Sequence, residues 1–319
     1  MILLLTNRRD VTTDFVVAAL RRRGAPFVRL NTERLMRDWR VTWRTSGWRA
    51  VDARGKVIES RSIMGAYYRR PRSPHPVDGT AEDAAGFVMR EGQALLRGLV
   101  ADVTAFCISA PDAIERAEDK MLQLRTAEDV GLTIPRTVVT NVPDEARAFV
   151  EAVSGRAIVK PLSSGYLSDD PPQLAYTTPL TSDAEFGAIA LAPHLLQERV
   201  HKVADLRVTV VGDTVFTCRI ASQTHPETSL DWRMASALNI RLDHTIVELP
   251  QVVKAACVTL VRRLGLRFGA IDLIEHSDSY TFLEINPNGQ WAWIEQRTGA
   301  PISDTIADAL CGAASGVSA

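Results

Sequence analysis

The spacing of apolar residues predicts a β-α-β unit at the start of the chain. Residues 2–6 form an apolar run typical of a buried strand, and residues 13–23 place apolar side chains along one side of a helix. A second apolar run follows at residues 27–30. Two strands separated by a helix favour a parallel sheet, which we expect a later run at residues 106–109 to close. Residues 1–110 are therefore predicted to form a first α/β domain.

Shorter elements follow in the middle of the chain, residues 111–195, which we predict to be an α+β domain. Pro111 suits the first turn of a helix, where no backbone N–H is needed, and this helix is expected to carry Lys120. An apolar strand is expected to end at Lys160. A loop of small residues, 163–165, comes next, and such a loop exposes backbone N–H groups that let a phosphate approach closely.

The last part of the chain, residues 196–319, carries the clearest strand signals. Residues 205–211 and 214–220 are predicted to be two strands joined by Gly212-Asp213, which is a strong hairpin signal. Residues 222–245 are mixed and polar, and a loop of this length is more often functional than structural.

An acid and an amide share one face of a strand predicted near the end of the chain, at residues 281–286. Side chains alternate along a strand, so Phe282, Glu284 and Asn286 are expected to point the same way. Pro287 then ends the strand, because it cannot donate a ladder hydrogen bond.

A preceding apolar strand, residues 268–274, carries one acid, Asp272. A hairpin centred on Asp278 would place Asp272 directly opposite Glu284, where two like charges repel each other. A divalent cation between them would turn this repulsion into binding. The oxygen ligands of Asp272, Glu284 and Asn286 suit Mg²⁺. The alternative is a solvent-exposed polar face beside a buried one.

Composition places the chain among ordinary globular proteins and argues against several function classes. Its 319 residues exceed the usual size of one core, and its formal net charge of −1 gives no electrostatic basis for binding nucleic acid. The four cysteines are scattered without a CxxC pair, which argues against a zinc ribbon or a disulfide framework and favours inert thiols. No stretch has the length of a signal-peptide core or a membrane span, so we expect a cytoplasmic protein without a membrane partner.

Several arginines occur where an anion could bind. Arg69 and Arg70 follow a predicted strand, and they would either lie in a solvated loop or anchor an acidic substrate. Arg207 shares a strand face with Asp205, and Arg219 on the partner strand is expected to project nearby. Two arginines that converge near a metal suit a transferred phosphoryl group or an acyl phosphate. Ion pairing with nearby aspartates is the alternative.

Taken in order, these residues resemble the ATP-grasp superfamily over roughly residues 110–310. The matching residues are Lys120, Lys160, the hinge Gln197-Glu198-Arg199-Val200, the segment Asp205-Leu206-Arg207, Arg219, Asp272, Glu284 and Asn286. The resemblance implies an α/β protein with the ATP-grasp fold. Its parts would be a Rossmann-like pre-grasp domain at 1–110, a central α+β subdomain at 111–195, and a C-terminal α+β subdomain with the Mg²⁺ site at 196–319.

The resemblance also implies how the chain would bind ATP. Lys120 and Lys160 would hold the α- and β-phosphates, with Ser164 of the small loop beside them. Asp205 would bind the ribose hydroxyls. The adenine would lie against the hinge, partly on its backbone, and the hinge residues implied are Gln197, Glu198 and Val200.

Catalytic and metal-binding roles follow from the same resemblance. Arg207 and Arg219 would stabilise the γ-phosphate and the acyl phosphate. Asp272, Glu284 and Asn286 would carry two Mg²⁺ ions.

Three further segments resemble the graspetide ligases, which are the microviridin-type peptide macrocyclases. These segments are Tyr68-Arg69-Arg70-Pro71, Asp231-Trp232-Arg233 and Asn286-Pro287-Asn288-Gly289-Gln290-Trp291. The resemblance implies a ligase that activates Asp or Glu side chains of a ribosomal precursor peptide as acyl phosphates. A Ser or Thr hydroxyl would then form an ω-ester, or a Lys amine an ω-amide. The residues implied to contact the peptide are Arg69, Arg70, Asp231 and Arg233.

The implied partner is a precursor peptide with a leader segment and an acidic core. We expect the leader to dock on residues 165–195 and on the 222–245 loop, and the resemblance makes a homodimer plausible. The nearest alternative function is a ligase that joins a small carboxylate to an amine or amino acid. Another is a regulatory nucleotide-binding protein without catalysis, but such a protein has no physical reason to keep the lysines, arginines and metal ligands together.

Overall fold

The computed structural model describes residues 1–103, 106–163, 166–169, 172–174 and 177–314. The strands in these ranges are β1 (Ile2–Thr6), β2 (Phe27–Asn31), β3 (Trp39–Arg44), β4 (Gly47–Asp52), β5 (Val57–Glu59), β6 (Gly65–Tyr68), β7 (Phe106–Ile108), β8 (Thr137–Thr140), β9 (Ala157–Lys160), β10 (Tyr166–Asp169), β11 (Pro172–Leu174), β12 (Thr178–Leu180), β13 (His194–Glu198), β14 (Ala204–Val211), β15 (Thr214–Ile220), β16 (His244–Val247), β17 (Phe268–Glu275) and β18 (Tyr280–Asn286).

The α-helices are α1 (Val11–Arg22), α2 (Leu35–Asp38), α3 (Glu82–Ala101), α4 (Pro111–Ala117), α5 (Lys120–Asp129), α6 (Pro143–Ala152), α7 (Met234–Ala237), α8 (Gln251–Arg263), α9 (Ala292–Thr298) and α10 (Ile302–Ala314). Across the described ranges, no helix combines the length and the apolar character needed to cross a membrane.

A parallel sheet lies at the start of the chain, as the β-α-β pattern predicted. Its strand order is β2-β1-β6-β7, and every neighbouring pair is parallel. Ile2 and Leu4 of β1 belong to one buried apolar cluster, whereas Leu3 and Leu5 belong to another. Both faces of this sheet are therefore buried, which is usual for a parallel sheet.

The two faces are covered by different parts of the chain. The antiparallel sheet β3-β4-β5 packs Trp48 and Ile58 into the cluster of Leu3 and Leu5. The other face is covered by α1 together with the last two helices, and Ile306 of α10 is buried there. The end of the chain thus packs against its beginning.

Polar contacts also hold α10 against the end of α1. Arg23, just after α1, donates hydrogen bonds to Asp304 and Asp308 of α10 over 2.7 Å each. The segment between β18 and α10 is consequently held close to the first sheet.

The middle of the chain forms an antiparallel sheet with the order β12-β9-β13-β8. Strand β9 ends at Lys160, as predicted, and β13 carries Gln197 and Glu198 of the hinge. Helix α6 packs Ala146 and Val150 into the core of this sheet.

Five antiparallel strands form the sheet that carries most of the candidate site, in the order β16-β15-β14-β17-β18. Leu206, Val208 and Val210 of β14 face a core shared with α8. The alternate residues Asp205 and Arg207 therefore point to the opposite face. The predicted loop at 222–245 contains α7, and its end begins β16, which the polar composition did not indicate.

The helix expected to run from Pro111 through Lys120 is in fact two helices. Helix α4 ends at Ala117, and Asp119 caps α5 by accepting hydrogen bonds from the first N–H groups of that helix. Aspartate is a favoured helix N-cap. Lys120 therefore occupies the first turn of α5.

Candidate active site

The metal-ligand candidates meet where β17 and β18 pair. Asp272 lies directly opposite Glu284, as predicted, and Arg207 lies opposite Asp272 on the other side of β17. Asn286 is at the end of β18. The three oxygen-bearing side chains line one cavity.

A bulge in β18 sets this register. Asp272 pairs with Glu284, but the next residue towards the loop, Leu273, pairs with Phe282. Leu283 is therefore the extra, unpaired residue of the bulge. The hairpin is therefore not centred on Asp278, although the predicted carboxylate pair is present. The predicted alternation is also wrong at one position, because Phe282 is buried in the apolar core while Leu283 and Glu284 line the cavity.

The two opposed carboxylates have different proton affinities. Burial raises the pKa of Asp272 to about 6; Arg207 opposes this shift and the Glu284 charge adds to it. Burial acts upward on Glu284 too, but the nearby cations, led by Lys160 and Lys120, outweigh it and lower its pKa. Perturbed pairs of this kind cluster at functional sites. A cation between the two groups would favour the ionised form of both.

Two lysines approach the carboxylate pair from different elements. Lys120 Nζ donates to Pro161 O over 2.8 Å and lies 3.8 Å from Glu284 Oε2. Lys160 Nζ donates to Gln197 Oε1 over 2.9 Å. Burial lowers the pKa of Lys160, while the Glu284 charge opposes that shift. Both predicted phosphate-binding lysines therefore line the cavity beside the metal-ligand candidates.

Arg207 is buried and keeps unused hydrogen-bond donors. Its Nε lies 3.3 Å from Asp272 Oδ1, and its guanidinium lies 5.7 Å from the centre of the Trp232 ring. Neither Nε nor Nη1 makes a hydrogen bond within the described parts of the chain. A buried donor without a partner costs about 1–3 kcal/mol, so an anion that accepted these bonds would be favoured. Trp232 and Asp272, which both lie beside Arg207, line the cavity.

Arg219 points away from the site, so the prediction that it converges with Arg207 is wrong. Directly opposed residues of an antiparallel pair share a face. Arg219 is opposite Leu206, whereas Arg207 is opposite Cys218. Arg219 Nε instead donates to Glu275 Oε2 over 2.6 Å.

Arg233 supplies the second guanidinium near the carboxylates. Its Nε and Nη2 donate to the two carboxylate oxygens of Asp231 over 2.8 and 2.6 Å. Burial acts to raise the pKa of Asp231, but Arg233 outweighs it and the pKa is lowered. The Arg233 charge also acts to lower the pKa of Asp272 and of Glu284. This pair, predicted to contact a peptide, therefore lies in the same cavity as the metal-ligand candidates.

Asp205 lines the cavity and is already oriented by a lysine that the sequence reasoning missed. Lys202 Nζ donates to the two Asp205 carboxylate oxygens over 3.0 and 2.7 Å, and to Leu230 O over 3.1 Å. Burial raises the pKa of Asp205, and Lys202 opposes this effect. The close spacing of a lysine and an aspartate at the start of β14 was the available signal.

The hinge residues divide into two roles. Glu198 and Val200 line the cavity. Gln197 is only 1% exposed; its amide accepts from Lys160 and donates to Thr137 Oγ1 over 3.2 Å. Gln197 therefore orients Lys160 from behind.

Asn286 is held by the turn that follows β18. Its Oδ1 accepts a hydrogen bond from the Asn288 N–H over 3.0 Å, and its carbonyl accepts one from Gly289 over 3.1 Å. A side chain at Gly289 would not fit, because an added Cβ would lie 2.2 Å from Ala270 Cβ. The turn thus needs glycine for close packing against β17.

Arg69 is buried between the first sheet and the turn after β18, so the prediction that it contacts a peptide is wrong. It is 1% exposed, and its Nη1 donates to Asn288 O and Gly289 O over 3.1 Å each. Its Nη2 donates to Gln290 Oε1 over 3.0 Å. Arg70 is exposed and donates to Asn288 O over 3.3 Å, so its role in peptide binding stays a prediction.

These groups surround a cavity of about 1270 Å³. Cavities for one small molecule are about 300–1,000 Å³, so this one has room for a nucleotide and part of a second substrate. Ser164, the predicted phosphate neighbour, lies outside the described residues.

The matches to curated enzymes cover only part of the chain. No protein-family model matches the chain. A probable alpha-L-glutamate ligase from Saccharophagus degradans is 25% identical over 204 residues. That similarity covers 63% of this chain and 65% of the relative's own length.

Two solved structures match nearly the whole chain. A RiPP-associated ATP-grasp ligase from Chryseobacterium gregarium, in complex with ADP and a leader and core peptide, is 28% identical with a TM-score of 0.87; the match covers 97% of this chain and 96% of that one. The macrocyclase MdnB from Microcystis aeruginosa MRC is 30% identical with a TM-score of 0.77; the match covers 97% and 98%.

These matches confirm the predicted ATP-grasp fold. RiPP denotes a ribosomally synthesised and post-translationally modified peptide. Each match covers 97% of this chain and so includes both the first sheet and the site. The chain therefore belongs to the ATP-grasp ligases, in the family of the RiPP macrocyclases.

Proposed function

We propose that this protein is an ATP-dependent ligase that closes rings in a ribosomal precursor peptide. It activates Asp or Glu side chains as acyl phosphates and joins them to Ser or Thr hydroxyls as ω-esters, or to Lys amines as ω-amides. The observation that carries the proposal is the meeting of Asp272, Glu284, two lysines and Arg233 in a cavity larger than a nucleotide needs. The similar Chryseobacterium ligase holds ADP and a leader and core peptide, which supports a peptide substrate.

ATP fits the cation-rich wall of the cavity. Lys120 and Lys160 suit the α- and β-phosphates, since two ammonium groups neutralise phosphate oxygens. Glu198 and Val200 would border the adenine, and Asp205 would accept from the ribose hydroxyls. Gln197 contributes by orienting Lys160.

The donor set at the end of the β17–β18 hairpin fits Mg²⁺. Asp272, Glu284 and Asn286 offer only oxygen atoms, and the opposed carboxylates favour a divalent cation between them. We propose that these residues hold two ions. When bound, Mg²⁺ would neutralise charge on the phosphates.

The first chemical step activates a peptide carboxylate, which is a poor electrophile. A carboxylate oxygen of the peptide attacks the γ-phosphorus of ATP, which forms the acyl phosphate and releases ADP. Arg207 has buried donors to spare for this phosphoryl group, and it lies beside Asp272 of the carboxylate pair. Arg233 lies in the cavity wall beside the reacting groups.

The second step closes the ring. A hydroxyl or amine of the same peptide adds to the acyl carbon, and inorganic phosphate leaves. The peptide has then lost one water for each ring. The described residues offer no histidine at the carboxylate pair to act as a base, and His201 is the one that lines the cavity.

The peptide would also need a docking surface outside the catalytic groups. We propose that its leader binds near residues 177–195 and along residues 222–245, and that its acidic core meets Arg70 and Arg233. The other part of the predicted leader site, residues 165–176, is only partly described. A homodimer stays a prediction from the family resemblance.

A ligase for small molecules is the second candidate. The similarity to a probable alpha-L-glutamate ligase favours it, because that name indicates ligation of glutamate. The same cavity groups would form the same acyl phosphate. The two candidates therefore differ in the substrate and not in the first chemical step.

ADP release should separate the candidates. We expect release when the protein is supplied with ATP, Mg²⁺ and a precursor peptide that has a leader segment and an acidic core. Glutamate with amino acid acceptors should give no more than the background hydrolysis. ADP release with the small substrates alone would transfer the assignment to the second candidate.

A further inference from the structure

Arg69 joins the first sheet to the turn that carries a metal-ligand candidate. It directly follows β6, and its side chain is 1% exposed. Its guanidinium donates to the carbonyls of Asn288 and Gly289 and to the side chain of Gln290. Three acceptors on one turn are thus held by one side chain from another domain.

The same turn orients Asn286. The Asn288 N–H donates to Asn286 Oδ1 over 3.0 Å, and the Gly289 N–H donates to Asn286 O over 3.1 Å. Arg69 binds the carbonyls of the same two residues, Asn288 and Gly289. A shift of the guanidinium would therefore move the N–H group that points the Asn286 amide into the cavity.

A buried network holds Arg69 itself. Asp10 Oδ2 lies 3.4 Å from Arg69 Nε, and the same oxygen accepts from Thr6 Oγ1 over 2.8 Å and from Thr13 Oγ1 over 2.6 Å. Thr12 Oγ1 donates to Gln290 Oε1 over 2.6 Å, which is the acceptor that Arg69 also uses.

The cost of burying the Arg69 guanidinium suggests that this network does more than hold two parts of the chain together. Burying a guanidinium is costly unless it is paired and hydrogen-bonded, and an apolar contact would join two domains at lower cost. The planar fork of arginine fixes several acceptors at once, which lysine cannot do. We infer that Arg69 is a positioning residue that holds the Asn286 amide in the orientation that metal binding requires.

This inference rests on the proposed function, because it assumes that Asn286 is a metal ligand. Residues that support a metal ligand from behind commonly change metal affinity by about 10- to 100-fold when they are replaced. We therefore expect Arg69→Lys to weaken metal binding by about 10-fold or more while the affinity for ADP without metal stays close to that of the wild type.

The test measures binding of Mn²⁺ itself, by electron paramagnetic resonance in the presence of ADP. Arg23→Lys is the matched control, because Arg23 also joins the first domain to the C-terminal region through several acceptors but lies away from β18. Arg23→Lys should bind Mn²⁺ as the wild type does, even if both variants lose thermal stability. Gln290→Leu removes one acceptor of Arg69 and should weaken Mn²⁺ binding in the same direction, which decides the matter if Arg69→Lys does not fold.

The outcomes distinguish this inference from the proposed function. A folded Arg69→Lys variant that binds Mn²⁺ as tightly as the wild type, while Asn286→Ala binds it weakly, would overturn the positioning role alone. Unchanged Mn²⁺ binding in Asn286→Ala would overturn the metal assignment, and the positioning role with it. Weaker binding in both Arg69→Lys and Asn286→Ala, with Arg23→Lys unchanged, is the result we expect.

Discussion

Asp272→Asn and Glu284→Gln should each lower turnover by a factor of about 100 or more while the fold stays intact. Each change replaces a charged oxygen ligand by an amide of nearly the same shape. The metal site would then lose half of the opposed carboxylate pair, and the charge on the transferred phosphoryl group would be poorly neutralised. The measurement is the rate of ADP release at saturating ATP, together with thermal unfolding of each variant.

Glu275→Gln is the matched control for these two variants. Glu275 lies on the same hairpin, but it pairs with Arg219 on the opposite face of the sheet. The same chemical change at this position should leave ADP release close to the wild-type rate. Full ATP-dependent activity in Asp272→Asn or Glu284→Gln would show that the metal assignment is wrong.

Arg207→Lys should lower kcat by about 100-fold or more, because a donor aimed at developing charge is worth that much in an enzyme site. Arg207 is the buried guanidinium with unused donors beside Asp272. Lysine keeps the charge but loses the planar fork that can bind two phosphoryl oxygens. The loss should appear in kcat more than in the KM for ATP, since the interaction strengthens as the phosphoryl group is transferred.

Arg219→Lys provides the contrast for Arg207→Lys. The sequence reasoning placed both arginines at the γ-phosphate, but the ladder register places Arg219 on the other face of the sheet. Arg219→Lys should therefore retain most of the wild-type kcat. Equal losses in the two variants would contradict the assignment made from the register.

The orientation of Arg219 was accessible from the sequence. The two-residue turn Gly212-Asp213 pairs Val211 with Thr214, and the remaining pairs of the hairpin follow from that one. Counting along the strands places Arg219 opposite an apolar core residue, Leu206. The family resemblance implied that Arg219 lies at the γ-phosphate, whereas the strand register correctly predicts that it lies on the other face of the sheet.

The bulge at Leu283 and the role of Arg69 could not be predicted by counting residues along the strands. A bulge depends on how neighbouring side chains fill the core, and the deep burial of Phe282 beside the polar face that lines the cavity favours it here. Arg69 meets Asn288 across more than two hundred residues of chain. Short-range patterns carry no information on such a contact, so the sequence does not distinguish this buried arginine from one on the surface.

The carboxylate pair, by contrast, followed from simple spacing. Asp272 and Glu284 are acids within apolar strands that are joined by a short polar loop, and a hairpin must bring them near each other. The strand that ends at Lys160 was also clear from its apolar run. The contact between Lys202 and Asp205 could not be predicted with the same ease. It depends on the loop after β15, because Leu230 in that loop accepts the remaining hydrogen bond from Lys202.

The most direct test of the central claim is the intact mass of a precursor peptide with a leader and an acidic core, after incubation with this protein, ATP and Mg²⁺. The proposed function predicts the loss of one water per ring, dependent on ATP, and hydroxylamine would then cleave esters but leave amides. An unchanged peptide mass, with ADP released only when small carboxylates and amines are supplied, would contradict the macrocyclase assignment.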